Sequence, residues 1–358
     1  MKVAVITFPL INNYGGIIQA FAMMKLLEDL GHEPMLVNLQ SESKLKSISK
    51  FIIKKYFLFF MSQFKNVKLT IKNKELAKFV DVYINPKTIP ICNGQELKDY
   101  FLNNTFDACV VGSDQVFAKM GYTHFENDFS LGFVQDDVIK LSYAASFGAD
   151  RYQGDSQQVE FHKKNLNRFS GVSVREQSGV NICKDTFSVG STHVLDPTMM
   201  ISSSYYLDII AADKIKTELR NDKELFAYVL DSDEAKTTAI QKFSKNKKLS
   251  MRQINDANAS VDVISMEKWI SSIYNAEHVI TDSFHGCVFC IIFNKPFHCY
   301  INRKRGADRF ISLLKMFGLE SRIIERDISD EVIDWSAVNA KLEVNKAKSL
   351  DFLMTHLV

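Results

Sequence analysis

Apolar residues along this chain come in short unbroken runs, each followed by a stretch in which they recur at helical spacing. Val3–Thr7 leads into Ile17–Leu30, and Pro34–Leu39, Ala108–Gly112, Leu141–Ala145 and Val172–Val174 repeat the theme. An unbroken apolar run suits a strand covered on both faces, as in a parallel sheet flanked by helices. A polar stretch with helical spacing around Ser202–Asp222 interrupts the series, and Leu225–Leu230, Leu249–Ile254, Val279–Thr281 and Phe297–Ile301 resume it. The pattern predicts an α/β chain of two doubly wound lobes with a central cleft where the carboxyl ends of the strands face each other, and ligands belong in that cleft. The expected divisions are a first lobe over 1–205, a second over 206–335, and a terminal helix over 336–358 that packs back on the first.

Length and composition fit this reading, since 358 residues with 46% hydrophobic content fill more than one core. A net charge of +2 removes the broad positive field of a nucleic-acid binder, so no nucleic-acid partner is expected. The charge is uneven, however. Ser41 to Val80 carries ten lysines against Glu42 and Glu75, a local +8, and within it lies the aromatic run Phe51–Phe64, FIIKKYFLFFMSQF. That run is too short and too charged to span a bilayer, which takes about 20 apolar residues. It reads either as a helix packed on its own lobe with lysines in water, or as a peripheral contact on an inner membrane face. The N-terminal MKVAVITFPL lacks a small-residue cleavage site and is not read as a signal peptide. Six scattered cysteines read as reduced thiols, which makes the cytoplasm the expected compartment.

Candidate chemistry gathers where strands end. Asn12-Asn13-Tyr14-Gly15-Gly16 opens the first helix, so free N–H groups and the positive dipole end lie beside two glycines, able to receive an anion or a sugar hydroxyl. The stretch has neither G-x-G-x-x-G nor G-K-[ST] and is no nucleotide fingerprint. Ser113-Asp114-Gln115 and Ser146-Phe147-Gly148 close two further strands, either as caps or as a cleft wall. Arg175-Glu176 ends another, and a guanidinium there offers a planar fork to carboxylate or phosphate. Asp196, before Pro197, is placed to orient its neighbours or to pair with Arg175. In VITDSFHG, Val279–Gly286, Thr281, Asp282 and Ser283 can cap a helix whose first turn carries His285. A lone histidine is usually structural, but this one keeps polar company at a sheet edge. Cys287 and Cys290 have metal spacing, yet they fall in an apolar helix where thiols act as small core groups, so no metal is expected. Arg303, Arg305 and Arg309 form a basic cluster suited to an anionic substrate, with Arg309 favoured.

Taken in order, NNYGGIIQAFAM, VVGSDQVF, YAASFG, SVRE, VLDPTMM, VITDSFHGCVFCIIFNKPF and RFISLLKMFGL resemble the polysaccharide pyruvyl transferase family from about Asn12 to Leu319. The resemblance implies a GT-B-like fold of two Rossmann-type lobes, phosphoenolpyruvate as donor substrate without a further cofactor, and a pyruvate ketal built on a sugar or lipid-linked oligosaccharide acceptor. It also implies His285 as the acid and Arg175 as a ligand of the donor anion. Asn13, Tyr14, Gly15, Gly16, Ser113, Asp114, Gln115, Ser146, Glu176, Ser283 and Arg309 are the expected substrate contacts. Many members carry an arginine two residues before the histidine, where this chain has Ser283. Two other readings compete: a GT-B glycosyltransferase using a nucleotide sugar, and a non-catalytic scaffold that binds glycans during capsule assembly.

Overall fold

The computed structural model describes residues 1–40, 74–118, 125, 128–212, 223–254, 264–302, 306–325, 328 and 331–358. The segment 51–64, Arg303 and Arg305 lie outside the described residues. Two all-parallel sheets organise the chain. The first contains β1 (Lys2–Ile6), β2 (Glu33–Leu36), β3 (Ala108–Gly112), β4 (Ile139–Ala145), β5 (Gly171–Val174) and β6 (Thr192–His193), in the order β2-β1-β3-β4-β5-β6. The second contains β7 (Glu224–Tyr228), β8 (Ser250–Ile254), β9 (His278–Thr281) and β10 (Phe297–Cys299), in the order β10-β9-β7-β8. Counted within its own lobe each sheet runs 2-1-3-4, so the winding reverses between β1 and β3 and again between β7 and β9. Reversals of this kind leave a crevice beyond the carboxyl ends of the two strands involved.

Register decides which residues share those edges. Ile6 pairs with Val111, Ala145 with Val174, and Tyr228 with Thr281. Thr7 and Ser113 therefore leave one edge together, Ser146 and Arg175 leave it beside them, and Asp282 and Ser283 leave the other sheet. The apolar strands owe their unbroken runs to cover on both faces: every residue of β3 and β5 is buried. The edge strand β6 is two residues long and polar, and it ends two residues before the strand terminus that Leu195-Asp196-Pro197 marks in the sequence.

The helix Tyr14–Asp29 is buried along nearly its whole length, and most of its circumference is apolar. That pattern marks a helix enclosed on all sides. It lies in the seam between the lobes, where Tyr14 stacks on Trp269 with centroids 5.4 Å apart and meets Tyr228 edge-on at 6.1 Å. Each such aromatic pair contributes about 0.5–1.5 kcal/mol beyond its area burial. One apolar core consequently runs from Val3 in the first lobe to Phe310 in the second. The helix Trp335–His356 returns to the first lobe: Ser349 accepts from the Leu195 amide at 2.9 Å, and His356 covers Gly171. Among the described residues no helix is long and apolar enough to cross a membrane.

Candidate active site

Three strand ends and three helix starts meet at one point of the seam. Asn13 caps the helix Tyr14–Asp29, its Oδ1 accepting from the Gly16 amide at 3.1 Å. Ser283 caps the helix Phe284–Ile292 in the same way, accepting from Gly286 at 3.3 Å. Gly15 and His285, one turn into these helices, are in contact across the seam. A β-carbon on Gly15 would stand 2.1 Å from His285 Nδ1, so the imidazole occupies the space that any other residue would fill.

Asp196 joins this histidine to Arg175. Its Oδ1 accepts from the Thr198 amide at 3.0 Å and the Thr198 hydroxyl at 2.7 Å, which fixes the carboxylate at the start of the helix Pro197–Met200. Its Oδ2 accepts from Arg175 Nη1 at 2.8 Å and Ser113 Oγ at 3.0 Å, and lies 3.6 Å from His285 Nε2. Burial opposes ionisation of Asp196, but His285, Arg175 and the Thr198 donors outweigh it and hold the carboxyl well below the usual carboxylate range. The Arg175 guanidinium is itself buried, an environment that opposes its charge. Asp196, Asp114 and Glu176 overcome that cost and keep it protonated.

Arg175 still has bonding capacity to spare. Its Nε and Nη2 make no hydrogen bond, Nη2 standing 3.6 Å from Asp114 Oδ1, and His285 Nε2 is likewise without one. Buried donors of this kind are uncommon in a folded protein, and here they leave capacity that the surrounding side chains do not use. The Arg175 plane lies 4.4 Å above the ring of Phe284, and Arg309, also buried, lies 5.5 Å from the same ring. One phenyl ring thus brings two guanidinium groups to one wall.

The remaining expected residues divide between this cluster and its supports. Asp114, with φ of +70°, reaches the cluster, while its carboxylate also accepts from the Gln115 amide at 2.8 Å. A β-carbon on Gly16 would stand 3.4 Å from Asp114 Oδ2. Glu176 turns away from Arg175: its Oε1 accepts from Ser146 Oγ at 2.9 Å, Phe147 N at 2.7 Å and Gly148 N at 3.2 Å. Burial pushes the Glu176 carboxyl up against the pull of Arg175 and those three donors. Tyr14 faces the seam, its hydroxyl donating to the Ile264 carbonyl at 2.7 Å. Asp282 holds the second lobe's switch point together, accepting from Leu230 N at 2.5 Å and Asp231 N at 3.1 Å. Cys287 and Cys290 are themselves fully buried in the helix Phe284–Ile292, and burial raises both thiols well above the usual range. Among the described residues no cluster of three or more His, Cys, Asp or Glu could hold a metal ion.

Asp196 and Phe284 are the two members that sequence reasoning left out of the substrate-contacting set. Asp-Pro after an apolar run did signal a helix start with an orienting carboxylate. Phe284 gave no signal, because an aromatic at that place reads as helix core.

Paired Rossmann-type lobes with a polar site at their facing switch points define a GT-B-like protein. UDP-GlcNAc 2-epimerase from Neisseria meningitidis, bound to UDP-GlcNAc, has the same architecture with a TM-score of 0.54 and 8% identity over 98% of this chain and 94% of that one. The UDP-N-acetylglucosamine 2-epimerase of Rickettsia bellii matches with a TM-score of 0.51 and 9% identity over 99% and 96%. At such identities the likeness speaks for the fold. No curated protein matches the sequence. The chain belongs to the polysaccharide pyruvyl transferase family, whose model matches residues 13–304.

Proposed function

We propose that this protein transfers pyruvate from phosphoenolpyruvate to a sugar of a surface polysaccharide or its lipid-linked precursor, closing a ketal across two hydroxyls and releasing phosphate. The observation that carries this reading is the buried Arg175, with two nitrogens unbonded, beside the unbonded His285 Nε2 and the second guanidinium of Arg309. A small dianion with a carboxylate and a phosphate needs two cationic forks within one molecule's length, and Arg175 and Arg309 supply them. Arg309 takes the place of the family arginine that Ser283 lacks.

In the first step His285 gives a proton to the methylene carbon of the enol. A sugar hydroxyl bonds to the adjacent carbon as its own proton passes to Asp114, the carboxylate at the cluster's edge. In the second step another hydroxyl of that sugar bonds to the same carbon and gives its proton to His285, now neutral, while the carbon–oxygen bond to phosphate breaks; phosphate leaves with the electron pair and takes up the proton held by Asp114. Asp196 offsets the charge on His285 and holds the ring in place. Asp282, taken up by backbone amides, is not the base.

Phosphate release from phosphoenolpyruvate is expected only when an acceptor saccharide is present, and mass spectrometry should find the ketal on that saccharide. His285→Ala should abolish release. Full activity in that variant, or thermal stabilisation by a nucleotide sugar with none by phosphoenolpyruvate, would overturn the reading.

A further inference from the structure

The helix Ala307–Phe317 carries Arg309 and follows the strands of the second lobe, yet it touches the first lobe on both sides of that arginine. At its start Gly306 has φ of +95°, and a β-carbon there would stand 2.4 Å from the Gly148 carbonyl oxygen, so bare backbone of the two lobes meets. One turn beyond Arg309, Ser312 Oγ accepts from the Gln177 amide at 3.1 Å. The same oxygen lies 3.4 Å from His193 Nε2, which donates to the Arg175 carbonyl at 3.0 Å. Ser312 is thereby joined to the main chain on either side of Glu176.

The first lobe needs this acceptor for a local reason. Gln177 opens the helix Gln177–Asp185, and the first amides of a helix have no partner within it. Glu176 stands at the cap position, but its carboxylate is drawn off by Ser146, Phe147 and Gly148 and makes no cap bond. Ser312 of the other lobe supplies an acceptor in its place. Spacing then turns the contact into a constraint on Arg309. Residues three apart on a helix share a face, so a helix held at Gly306 and Ser312 cannot slide or turn Arg309 away without breaking one of those contacts. Held there, the Arg309 guanidinium lies 5.5 Å from the Phe284 ring, and Arg175, whose carbonyl His193 grips, lies 4.4 Å from the same ring.

We infer that Ser312 is a positioning residue: through the Gln177 amide and His193 it fixes Arg309 relative to Arg175, so that the two guanidinium groups form an anion fork before any ligand arrives. That role rests on the reading of Arg175 and Arg309 as the site of the donor anion. Phosphoenolpyruvate and inorganic phosphate, titrated separately by calorimetry, test it in wild type, Ser312→Ala, Ser312→Thr, Arg309→Ala and the double variant Ser312→Ala/Arg309→Ala. Gln177→Pro removes the same bond from the first lobe's side, at a first helical position that accepts proline. Melting curves confirm that each variant is folded. In Ser312→Ala and in Gln177→Pro the Kd for both anions should rise about tenfold, the size of one lost hydrogen bond to a charged group, and Ser312→Thr, which keeps the hydroxyl, should bind as wild type does. On the Arg309→Ala background the Ser312→Ala exchange should change Kd by less than about twofold, whereas a merely structural cap would lower the melting temperature alike on both backgrounds and leave Kd alone. Wild-type Kd in folded Ser312→Ala and Gln177→Pro, or the same loss of affinity with and without Arg309, overturns the positioning role. Phosphate bound with the expected coupling, and phosphoenolpyruvate not bound at all, keeps that role and removes the pyruvyl-transfer reading alone. Neither anion bound by wild type overturns both.

Discussion

At the scale of single residues, Asp196 governs the candidate site, since one buried carboxylate serves Arg175, Ser113 and His285 together. Asp196→Asn leaves the buried Arg175 with Asp114 and Glu176 but without its hydrogen-bonded carboxylate, and breaking a buried pair of that kind costs up to about 3–5 kcal/mol. A lower denaturation midpoint and loss of phosphate release are both expected, read by urea unfolding and by a phosphate assay. The sign of the pH effect follows from the depressed carboxyl. Its ionised form stabilises the fold above the ordinary carboxylate pKa, and that contribution fades as pH falls toward the lower folded value. Gly15→Ala separates geometry from charge. The added methyl displaces His285, and a shift of about 1 Å costs on the order of a hundredfold in rate, so kcat should fall far more than the melting temperature does. The sequence marked His285, Arg175 and Asp196 one by one, because each ends a strand or starts a helix. It could not show that they share a carboxylate, since that contact forms only when residues 175, 196 and 285 arrive from separate strands.

At the scale of elements, apolar runs located the strands, whereas the short and partly exposed β6 was marked only by the Leu195-Asp196-Pro197 terminus that follows it. Tyr14 illustrates a second limit. Its position after Asn13 reads as ligand-facing, but Trp269, supplied by a helix of the other lobe, draws its ring into the seam. The helix Ser156–Leu166 carries a further consequence, because His162 on its inner face is wholly buried and neither ring nitrogen has a hydrogen-bond partner. Burial lowers its pKa from 6.5 to about 4. Between those values the unfolded chain takes up a proton that the folded chain refuses, so stability falls as pH is lowered through that window, by up to about 3 kcal/mol. Replacing His162 with leucine should flatten that part of the stability curve, measured as melting temperature against pH. An unchanged slope would assign the acid sensitivity elsewhere.

At the scale of the whole molecule, the lobes form one unit, joined by the aromatic seam and by the returning helix Trp335–His356. Ser349 sits on that helix and accepts from the amide of Leu195, the residue before Asp196. Ser349→Val leaves this buried amide unsatisfied at a cost of about 1–3 kcal/mol, and calorimetry should show it as a lower melting temperature of a single transition. Two separate transitions would mean that the lobes unfold independently. The meeting of helix starts at the seam has one more consequence. The helices beginning at Tyr14 and Phe284 bring their positive dipole ends together at Gly15 and His285 from the two lobes, so part of the attraction for an anion is built into the main chain. Main-chain polarity does not titrate and survives any one side-chain exchange, which gives the site a floor of affinity beneath its arginines. Sequence drift can retune the cations, as Ser283 with Arg309 suggests, without ever emptying the site of its pull.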